Sequence, residues 1–433
     1  MIDINLIRSK PKEIEEALRK RNQAIDFSDV LKWDEERRRI ITEADSLKTT
    51  RNQTSNQVPK LRKAGKSIVN LLNEMKQIAQ QIKKLDNKST TLSQKIQSTL
   101  EQLPNIPDPD VPAGGKEKNK VVREWGTKPD KDFKLSSHID LAKKLELIDF
   151  ERGAKISGSG FWLYTGNGAL LELALINYFI SRNVSAGYEM ILVPHIVNWE
   201  CGYVSGQLPK FGDDIYQLAS ETDTTSGSGR QMLIPTAETA LSAIHQNEIL
   251  DSESLPLKYC AFSPCYRREA GSYRTHDRGT IRGHQFNKVE LFQFVEPDKS
   301  DAALDELVQH AESLVKDLGL HYRVSKLAAG DCSAASSKTY DIEVWIPSMQ
   351  SYEEVSSASN TRDYQSRRSR TRVRKSSKLN LAHTLNASGL ATSRLLPAVI
   401  ESWQQADGSV IIPSALKPFI NTNTISNNKY KPQ

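Results

Sequence analysis

Two runs of apolar residues, each with a seven-residue repeat, dominate the N-terminal part of the chain. The first run is Trp33, Ile40, Leu47, Thr54 and Leu61, and the second is Leu71, Met75, Ile78, Ile82, Leu85, Ser89, Leu92, Ile96, Thr99 and Leu103. Such a repeat makes two helices wind together, and the short Gly-containing break at 64–67 joins them as an antiparallel coiled-coil hairpin. With about 35 residues per helix at a rise of ~1.5 Å, residues 30–103 are predicted to form an arm roughly 50 Å long. Pro59 lies near the tip, where it would end or bend the first helix.

The faces of this predicted arm outside the apolar seam are basic. Their cationic residues are Arg38, Arg39, Lys48, Lys60, Arg62, Lys63, Lys66, Lys76, Lys83, Lys84 and Lys95. Charge of this kind is usual on the surface of a spacer or dimerisation coil. A surface that binds a nucleic-acid backbone also needs positive charge and no base-reading side chains. The arm by itself therefore leaves both interpretations open.

A Pro- and Gly-rich stretch at 104–115 ends the arm and predicts the one clear domain boundary. We expect an N-terminal coiled-coil domain over residues 1–112. A second domain of mixed helices and strands is expected over 113–425, and a disordered tail over 426–433.

Composition limits the cellular setting. No apolar run approaches ~18 residues, and the N-terminus has no apolar secretion signal, so we expect no membrane association. The four cysteines form no C-x-x-C pair, which argues against a zinc site and fits a reducing, cytoplasmic location. The net charge of +6 permits a nucleic-acid partner without requiring one.

A second pattern predicts two antiparallel strands joined by a long loop. Apolar residues alternate over 259–267 and again over 284–294, and the stretch between them is rich in Gly, Ser, Asp and Arg. Period-two alternation puts Phe286, Lys288 and Glu290 on one face of the second strand. The opposite face is apolar, so it can be buried while the charged face lines a cleft.

Charged residues are concentrated where the first of these strands ends. Arg267, Arg268 and Glu269 leave the strand. The loop adds Arg274, Arg278 and Arg282. A carboxylate and an arginine on rigid strands below a basic loop suit a small zwitterion beside a phosphate, because the guanidinium fork binds either anion bidentately. An edge hairpin with a solvated charged turn is the alternative.

Three further segments carry candidate ligand groups. In the first, Thr236, Ala237 and Glu238 bring a hydroxyl and a carboxylate two residues apart, which can hold an ammonium or hydroxyl group. The same threonine is equally suited to cap a helix. The second segment is Glu354, Val355, Ser356 and Ser357, whose hard oxygen ligands suit Mg²⁺ and a nucleotide.

The third segment lies near the C-terminus. A strand is predicted to run through a turn of small residues, 386–389, into a helix that carries Arg394 and kinks at Pro397. Small residues at such a turn let a ligand approach closely, and the arginine can reach triphosphate oxygens.

The wording CYRREAGS … IRGHQFNKVEL, within residues 265–291, resembles motif 2 of the class II aminoacyl-tRNA synthetases, and specifically of the seryl-tRNA synthetases. Residues 169–194 resemble motif 1 and residues 386–394 resemble motif 3. With the heptad hairpin in front, the segments occur in the order expected of that family. The resemblance implies an α+β fold: an N-terminal antiparallel coiled-coil arm and a class II catalytic domain with an antiparallel sheet.

The resemblance also implies an activity, a serine–tRNA ligase that forms seryl-adenylate from L-serine and ATP with Mg²⁺ and then charges tRNA. Arg267, Glu354 and Arg394 would be catalytic. Serine would be bound by Thr236, Ala237, Glu238, Arg267, Glu290 and Ser388. ATP would be bound by Arg267, Arg268, Glu269, Gly283, Phe286, Glu354, Val355, Ser356, Ser357 and Arg394. Glu354 and Ser357 would hold the Mg²⁺ ion.

Partners follow from the same resemblance. Residues 30–103 would bind serine tRNA by its shape and phosphates, and the chain would be a homodimer. Whether a selenocysteine tRNA is also charged stays open. The sequence departs from the family pattern at Arg274, Asp277 and Gly283, which affects contacts with the tRNA acceptor end and adenine packing.

Two other functions fit parts of the sequence. A paralogous amino acid:carrier protein ligase would keep adenylation, but such proteins lack the long arm. A coiled-coil adaptor with an inactive synthetase-like domain would not need Arg267, Glu290, Glu354 and Arg394, all of which are present.

Overall fold

The protein is described by a computed structural model that covers residues 1–219, 229–269 and 279–426. The α-helices are α1 Ile4–Ser9, α2 Pro11–Arg19, α3 Ser28–Lys63, α4 Val69–Gln102, α5 His138–Lys144, α6 Phe150–Ser157, α7 Asn167–Ser185, α8 Trp199–Ser205, α9 Glu238–Leu241, α10 Ser300–Asp317, α11 Tyr364–Ser369 and α12 Thr392–Ser402. The strands are β1 Lys120–Trp125, β2 Ile148–Asp149, β3 Leu163–Tyr164, β4 Glu189–Ile191, β5 Ile196–Asn198, β6 Gln217–Leu218, β7 Gln231–Leu233, β8 Ile249–Asp251, β9 Leu257–Tyr266, β10 Gln285–Val295, β11 Tyr322–Lys326, β12 Lys338–Ile346, β13 Ser351–Arg362, β14 Arg372–Lys375, β15 Lys378–Leu381, β16 His383–Ala391, β17 Val410–Ile411 and β18 Thr424–Ile425.

The chain divides into two compact units. The arm unit comprises Ile2–Arg19 and Gln23–Leu103. The sheet unit comprises Met1, Lys20–Asn22 and Pro104–Gln433. The C-terminal residues 427–433, most of the predicted disordered tail, lie outside the described part of the chain.

In the arm unit the long helices α3 and α4 pack against each other, as the heptads predict. Lys95 Nζ lies 3.8 Å from the centre of the Trp33 ring, and Lys48 Nζ lies 3.2 Å from Asp86 Oδ1. A residue later in α3 therefore contacts a residue earlier in α4, which shows that the two helices are antiparallel. The most buried residues of the seam are Ile40, Ala44, Thr54, Ile78, Ile82, Ile96 and Leu100.

The first helix does not end at Pro59, because α3 continues to Lys63. Proline removes the N–H that would bond to the carbonyl four residues earlier, at Ser55. Both residues are exposed, so water can satisfy that carbonyl. Of the end or bend predicted at this proline, the end is therefore wrong.

The sheet unit is built on one large sheet with the order β1-β11-β12-β13-β16-β10-β9-β4. Its neighbours pair antiparallel, except that β4 runs parallel to β9. The predicted α+β class with an antiparallel sheet is confirmed. The predicted strand pair around residue 275 corresponds to β9 and β10, and the segment 169–194, which resembles motif 1, contains most of the apolar helix α7.

Strand β10 is buried on both faces along its C-terminal half, which the sequence pattern did not predict. Val289 and Leu291 contribute to a core shared with α7, α10 and α12. Phe292 and Phe294 contribute to a second core with residues of α9, β8 and β14. Because strand residues alternate between faces, these two cores clamp β10 from both sides. The strand is therefore a rigid support for its charged residues.

The predicted turn at 386–389 is wrong, since those residues lie within β16, which runs from His383 to Ala391. Helix α12 begins directly afterwards, at Thr392, and includes Pro397. Among the described residues, no helix is long and apolar enough to cross a membrane.

Candidate active site

A cavity of about 130 Å³ opens between β9, β10, β13 and β16. Eight of the residues predicted from the sequence line it: Arg267, Glu269, Gly283, Phe286, Glu354, Val355, Ser388 and Arg394. These residues come from segments spread over more than a hundred positions of the chain, so the fold brings together groups that the sequence could only name separately. Three arginines, Arg267, Arg282 and Arg394, line the cavity, which makes it suited to an anion.

Arg267 stands at the end of β9 with its guanidinium over an aromatic ring. The guanidinium carbon lies 5.1 Å from the centre of the Phe286 ring, within the range of a cation–π contact. Its Nε donates to the Pro235 carbonyl at 3.2 Å. The backbone N–H of Arg267 donates to the His284 carbonyl at 2.9 Å. The arginine is thus held in place by β10 and by the segment that leads to Thr236.

Glu290 is the most buried of the predicted acidic ligands, at 2% exposure. Its Oε2 accepts a hydrogen bond from the Thr236 hydroxyl at 3.2 Å and lies 2.5 Å from Lys288 Nζ. Burial raises the pKa of Glu290, while the Lys288 ammonium acts in the opposite direction. The pair is therefore a buried, mutually compensating charge couple next to the cavity that Lys288 lines.

Ser388 lies directly across the ladder from Glu290, because the two residues are register partners in β10 and β16. Opposed residues in an antiparallel pair have neighbouring side chains on the same face. The hydroxyl of Ser388 and the carboxylate of Glu290 therefore belong to one side of the sheet. Placing Ser388 in a strand rather than a turn is what makes this pairing possible.

Glu238, the second acidic residue of the predicted serine site, is held by two amide groups. Its Oε1 accepts hydrogen bonds from Gln365 Nε2 at 2.7 Å and from Asn386 Nδ2 at 2.6 Å. Burial, and after it the Glu290 carboxylate, raises the pKa of Glu238 to about 7. The Thr236 hydroxyl accepts from the Glu238 N–H at 3.3 Å and donates to Glu290, while the N-cap residue of α9 is Ala237.

The opposite wall of the cavity is formed by Arg394 on α12. Its Nη1 donates to the Glu354 carbonyl at 2.9 Å and lies 3.4 Å from Glu354 Oε2. Nearby, Glu269 Oε2 accepts from Arg282 Nε at 2.7 Å. Both arginines are thus paired with carboxylates at the rim, and an incoming polyphosphate can take over those guanidinium groups.

Gly283 has a steric reason to be glycine in this chain. A Cβ at this position would lie 2.1 Å from Cζ3 of Trp162 and 2.8 Å from the Gly160 carbonyl oxygen. The indole of Trp162 therefore occupies the volume that a larger residue at 283 would need. This explains the departure from the family pattern at this position.

A more open polar cleft of about 570 Å³ lies beside the cavity and shares Glu354 and Arg394 with it. Ser357 and Asp341 also line this cleft. Asp341 Oδ1 is buried without a hydrogen-bond partner, and burial raises the pKa of Asp341 well above its usual range. Among the described residues no three His, Cys, Asp or Glu side chains are arranged to hold a metal ion by themselves.

Mg²⁺ in nucleotide sites needs only one or two carboxylates, because water and phosphate oxygens complete its shell. Glu354 and Ser357 supply that kind of partial oxygen set, and the buried Asp341 oxygen without a hydrogen-bond partner belongs to the same cleft. The residues present therefore fit the predicted Mg²⁺ site.

Some predicted ligands do not turn their side chains into the cavity. Arg268 is exposed and its N–H donates to the Asp214 carbonyl. The buried Ser356 hydroxyl donates to the Ser388 carbonyl at 2.5 Å, and Ala237 is buried at the start of α9. The loop residues Arg274, Asp277 and Arg278 lie outside the described residues.

Sequence reasoning gave no role to three side chains that shape the site. The sequence pattern places Lys288 only on a charged strand face and Asn386 only in a turn, and it indicates no role for Gln365. The alternation of β10 contained a signal for Lys288, since it shares a face with Glu290. Nothing in the spacing of Gln365 or Asn386 points to Glu238, more than a hundred residues away.

Comparisons with known proteins identify the family of both parts of the chain. Residues 1–107 match the seryl-tRNA synthetase N-terminal domain, and residues 222–403 match the tRNA synthetase class II core domain (G, H, P, S and T). The chain is 50% identical to "Serine--tRNA ligase 2" of Clostridium acetobutylicum, over 98% of this chain and 100% of that protein. It is 45% identical to "Serine--tRNA ligase" of Petrotoga mobilis, with the same coverage.

A solved structure is also similar. The crystal structure of seryl-tRNA synthetase from Pyrococcus horikoshii complexed with ATP superimposes with a TM-score of 0.91 at 34% identity. The match covers 98% of this chain and 99% of that one. With the full-length matches above, this likeness shows that the chain belongs to the seryl-tRNA synthetase family of class II ligases.

Proposed function

We propose that this chain activates L-serine with ATP and transfers the seryl group to the 3′ end of serine tRNA. The observation that carries this is the pocket around Glu290. A buried carboxylate bonded to Thr236 and facing Ser388 offers acceptors and donors for a hydroxyl group. Arg267 and Arg394 line the adjoining cavity, where a nucleotide phosphate would lie.

In the first step, an oxygen of the serine carboxylate attacks the α-phosphorus of ATP. The new bond forms as the bond to the bridging oxygen of the β-phosphate breaks, so pyrophosphate leaves and seryl-adenylate remains. The attacking group belongs to the substrate, so no protein nucleophile is needed. Arg267 aligns the carboxylate and the α-phosphate and stabilises the negative charge that develops between them.

The serine subsite comprises Thr236, Ala237, Glu238, Glu290 and Ser388. Glu238 and Glu290 provide carboxylates for the ammonium and hydroxyl groups, and Ala237 supports the subsite from the core, where it is buried with Leu241. Alanine would leave these buried polar groups unpaired, which is the strongest form of discrimination available to such a pocket. Threonine would be rejected by the walls, since a single extra methyl group requires space.

The ATP subsite lies on the other side of Arg267. Glu269, Gly283 and Phe286 border the adenosine, the segment Glu354–Ser357 holds the nucleotide and the metal, and Arg394 meets the γ-phosphate end. Glu354 and Ser357 would hold Mg²⁺. When bound, the ion supplies positive charge to the phosphate oxygens.

The arm unit is proposed to bind tRNA through residues 30–103. Arg38 and Lys48 pair with acids of the arm, and Lys95 lies on Trp33. Exposed cations near the tip include Lys60, Arg62, Lys63 and Lys66. Four clustered charges suit contact with an RNA backbone by electrostatics and shape. Homodimer formation, a cytoplasmic location and the division at residues 112–113 belong to the same proposal.

The test is ATP–pyrophosphate exchange with each of the twenty amino acids, followed by charging of serine and selenocysteine tRNA transcripts. We expect exchange with serine alone and charging of serine tRNA. Exchange without charging would favour the carrier protein ligase, and absence of exchange would favour the inactive adaptor. Replacing residues 30–103 with a short linker should keep exchange and abolish charging.

A further inference from the structure

Glu172 is a buried carboxyl group that none of the predicted roles uses. It lies on α7 at 3% exposure, on the side of the sheet opposite the serine pocket's charged residues. Its Oε1 accepts from Asn287 Nδ2 at 2.8 Å and lies 2.5 Å from the Thr392 hydroxyl. One oxygen therefore joins three elements: α7, β10 and the first residue of α12.

The two partners of Glu172 lie directly behind the cavity. Asn287 separates Phe286 from Lys288, and both of those residues line the cavity. Thr392 lies two residues before Arg394, which forms the opposite wall. The Thr392 hydroxyl is also 3.0 Å from the Asn287 carbonyl oxygen, so the two walls contact each other as well as Glu172.

The backbone of β10 and β16 is irregular beside Asn287 and Thr392. The hydrogen bonds of Glu172 can therefore stabilise an otherwise unfavourable conformation. The β10–β16 ladder shifts register between Lys288 and Glu290, opposite Ala391 and Ser388. In the same turn of chain, Leu390 has a φ of +93°, although it is a bulky residue. Bulges re-aim side chains next to active sites, and positive φ in such a residue persists only when its surroundings enforce it.

We propose that Glu172 is a positioning residue, which ties the strand carrying Lys288 and Glu290 to the start of the helix carrying Arg394. It acts through Asn287 and Thr392 and does not touch a substrate. Its hydrogen bonds enforce the irregular end of β16 and so set the separation of the walls that receive ATP. The inference rests on the proposed function only in naming ATP as the ligand between those walls.

The test is the affinity for ATP, measured by calorimetry on the full chain without amino acid. Glu172→Ala should raise the Kd for ATP about tenfold, because Asn287 Nδ2 loses its acceptor, Thr392 keeps only its bond to the Asn287 carbonyl, and the bulge relaxes. Glu172→Gln retains an acceptor oxygen and should restore ATP binding to within about threefold of the unaltered chain. Thr392→Val should weaken ATP binding in the same direction, and its effect should not add to that of Glu172→Ala.

Tyr178→Phe is the matched control. Tyr178 is also a buried polar residue of α7, and its hydroxyl donates to the Leu314 carbonyl at 3.1 Å, far in sequence from the cavity residues. We expect this variant to lower the thermal midpoint without changing the Kd for ATP. A purely structural role for Glu172 would give the same result for Glu172→Ala, and that result would overturn the proposal.

If Glu172→Ala does not fold, Thr392→Val decides the question, since an unchanged Kd for ATP in that variant also refutes the role. Exchange kinetics separate this inference from the proposed function. A chain that binds ATP but activates no serine would contradict the function and leave the ATP measurement valid. In active protein, Glu172→Ala should raise the KM for ATP more than the KM for serine.

Discussion

The arm unit and the sheet unit use charge in opposite ways. Near the tip of the arm, Lys60, Arg62, Lys63 and Lys66 are exposed and project from a helical hairpin. In the sheet unit, Lys288 and Glu290 are almost completely buried and lie 2.5 Å apart. Exposed cations attract an extended polyanion and are screened by salt, whereas buried pairs are screened far less and demand exact geometry. The difference suggests that the arm provides electrostatic affinity and the sheet unit provides chemical selection.

The largest expected effect is a loss of activity in the sheet unit alone. Arg267→Ala should reduce serine-dependent pyrophosphate exchange by at least about 10³-fold, because the charge that stabilises the transition state is lost. Binding of tRNA through the arm should be unchanged in a filter-binding assay. Arg370→Ala, which removes an exposed arginine of the same unit, is the control and should keep normal exchange. Near-normal exchange in Arg267→Ala would refute the assigned role.

The next prediction concerns tRNA binding by the arm alone. Replacing Lys60, Arg62, Lys63 and Lys66 with glutamine should raise the KM for tRNA on the order of tenfold or more and flatten its dependence on salt. Exchange with serine should stay unchanged. The control replaces Lys48, which already pairs with Asp86, and should have a smaller effect. Equal salt dependence in the tip variant and the unaltered chain would show that the tip does not contact tRNA.

The third prediction concerns how the KM for serine depends on pH, because a buried carboxyl group in the sheet unit titrates near neutrality, whereas exposed lysine and arginine side chains do not. The pKa of Glu238 is raised to about 7, so this carboxyl loses its charge as the pH falls through neutrality. An uncharged Glu238 cannot pair with the serine ammonium, so the KM for serine should rise by up to about tenfold per pH unit below 7. Glu238→Gln should have a high KM at every pH. An identical pH profile in that variant would show that another group is responsible.

The smallest effect concerns stability. Because the pKa of Glu238 is raised on folding, its contribution to stability is complete below the unfolded pKa, near 4.5, and is lost as the pH rises towards 7. Glu238→Gln should therefore stabilise the chain at pH 8 by about 1 to 3 kcal/mol and have little effect at pH 4. Chemical denaturation at the two pH values measures this. Equal free energies of unfolding for the two proteins at pH 8 would show that burying the ionised Glu238 carboxylate costs no stability.

The sequence predicted the elements whose signal is periodic. Heptads identified the two helices of the arm, and alternation identified β9 and β10, because one face of each is apolar. The resemblance to a family then supplied residues such as Arg267 and Ser388, which the fold brings to one cavity. Spacing alone assigned Thr99 to the seam of the arm, although the neighbouring Leu100 is the buried residue there.

What could not be predicted depends on contacts between distant segments. The partners of Glu238 come from α11 and β16, and the partners of Glu172 come from β10 and α12. Small residues at 386–389 suggested a turn, yet they lie in a strand because neighbouring strands on both sides pair with them. Tertiary hydrogen bonding overrides local preference at such positions.

The buried Lys288–Glu290 couple also limits how the amino acid preference can be redesigned. Replacing either residue alone leaves the other as a buried ion without its partner, which typically costs about 3 to 5 kcal/mol of stability. Libraries that vary one position at a time will therefore sample mostly misfolded or inert variants at this point. New specificities should instead be sought by exchanging both members together for a neutral pair of equal volume.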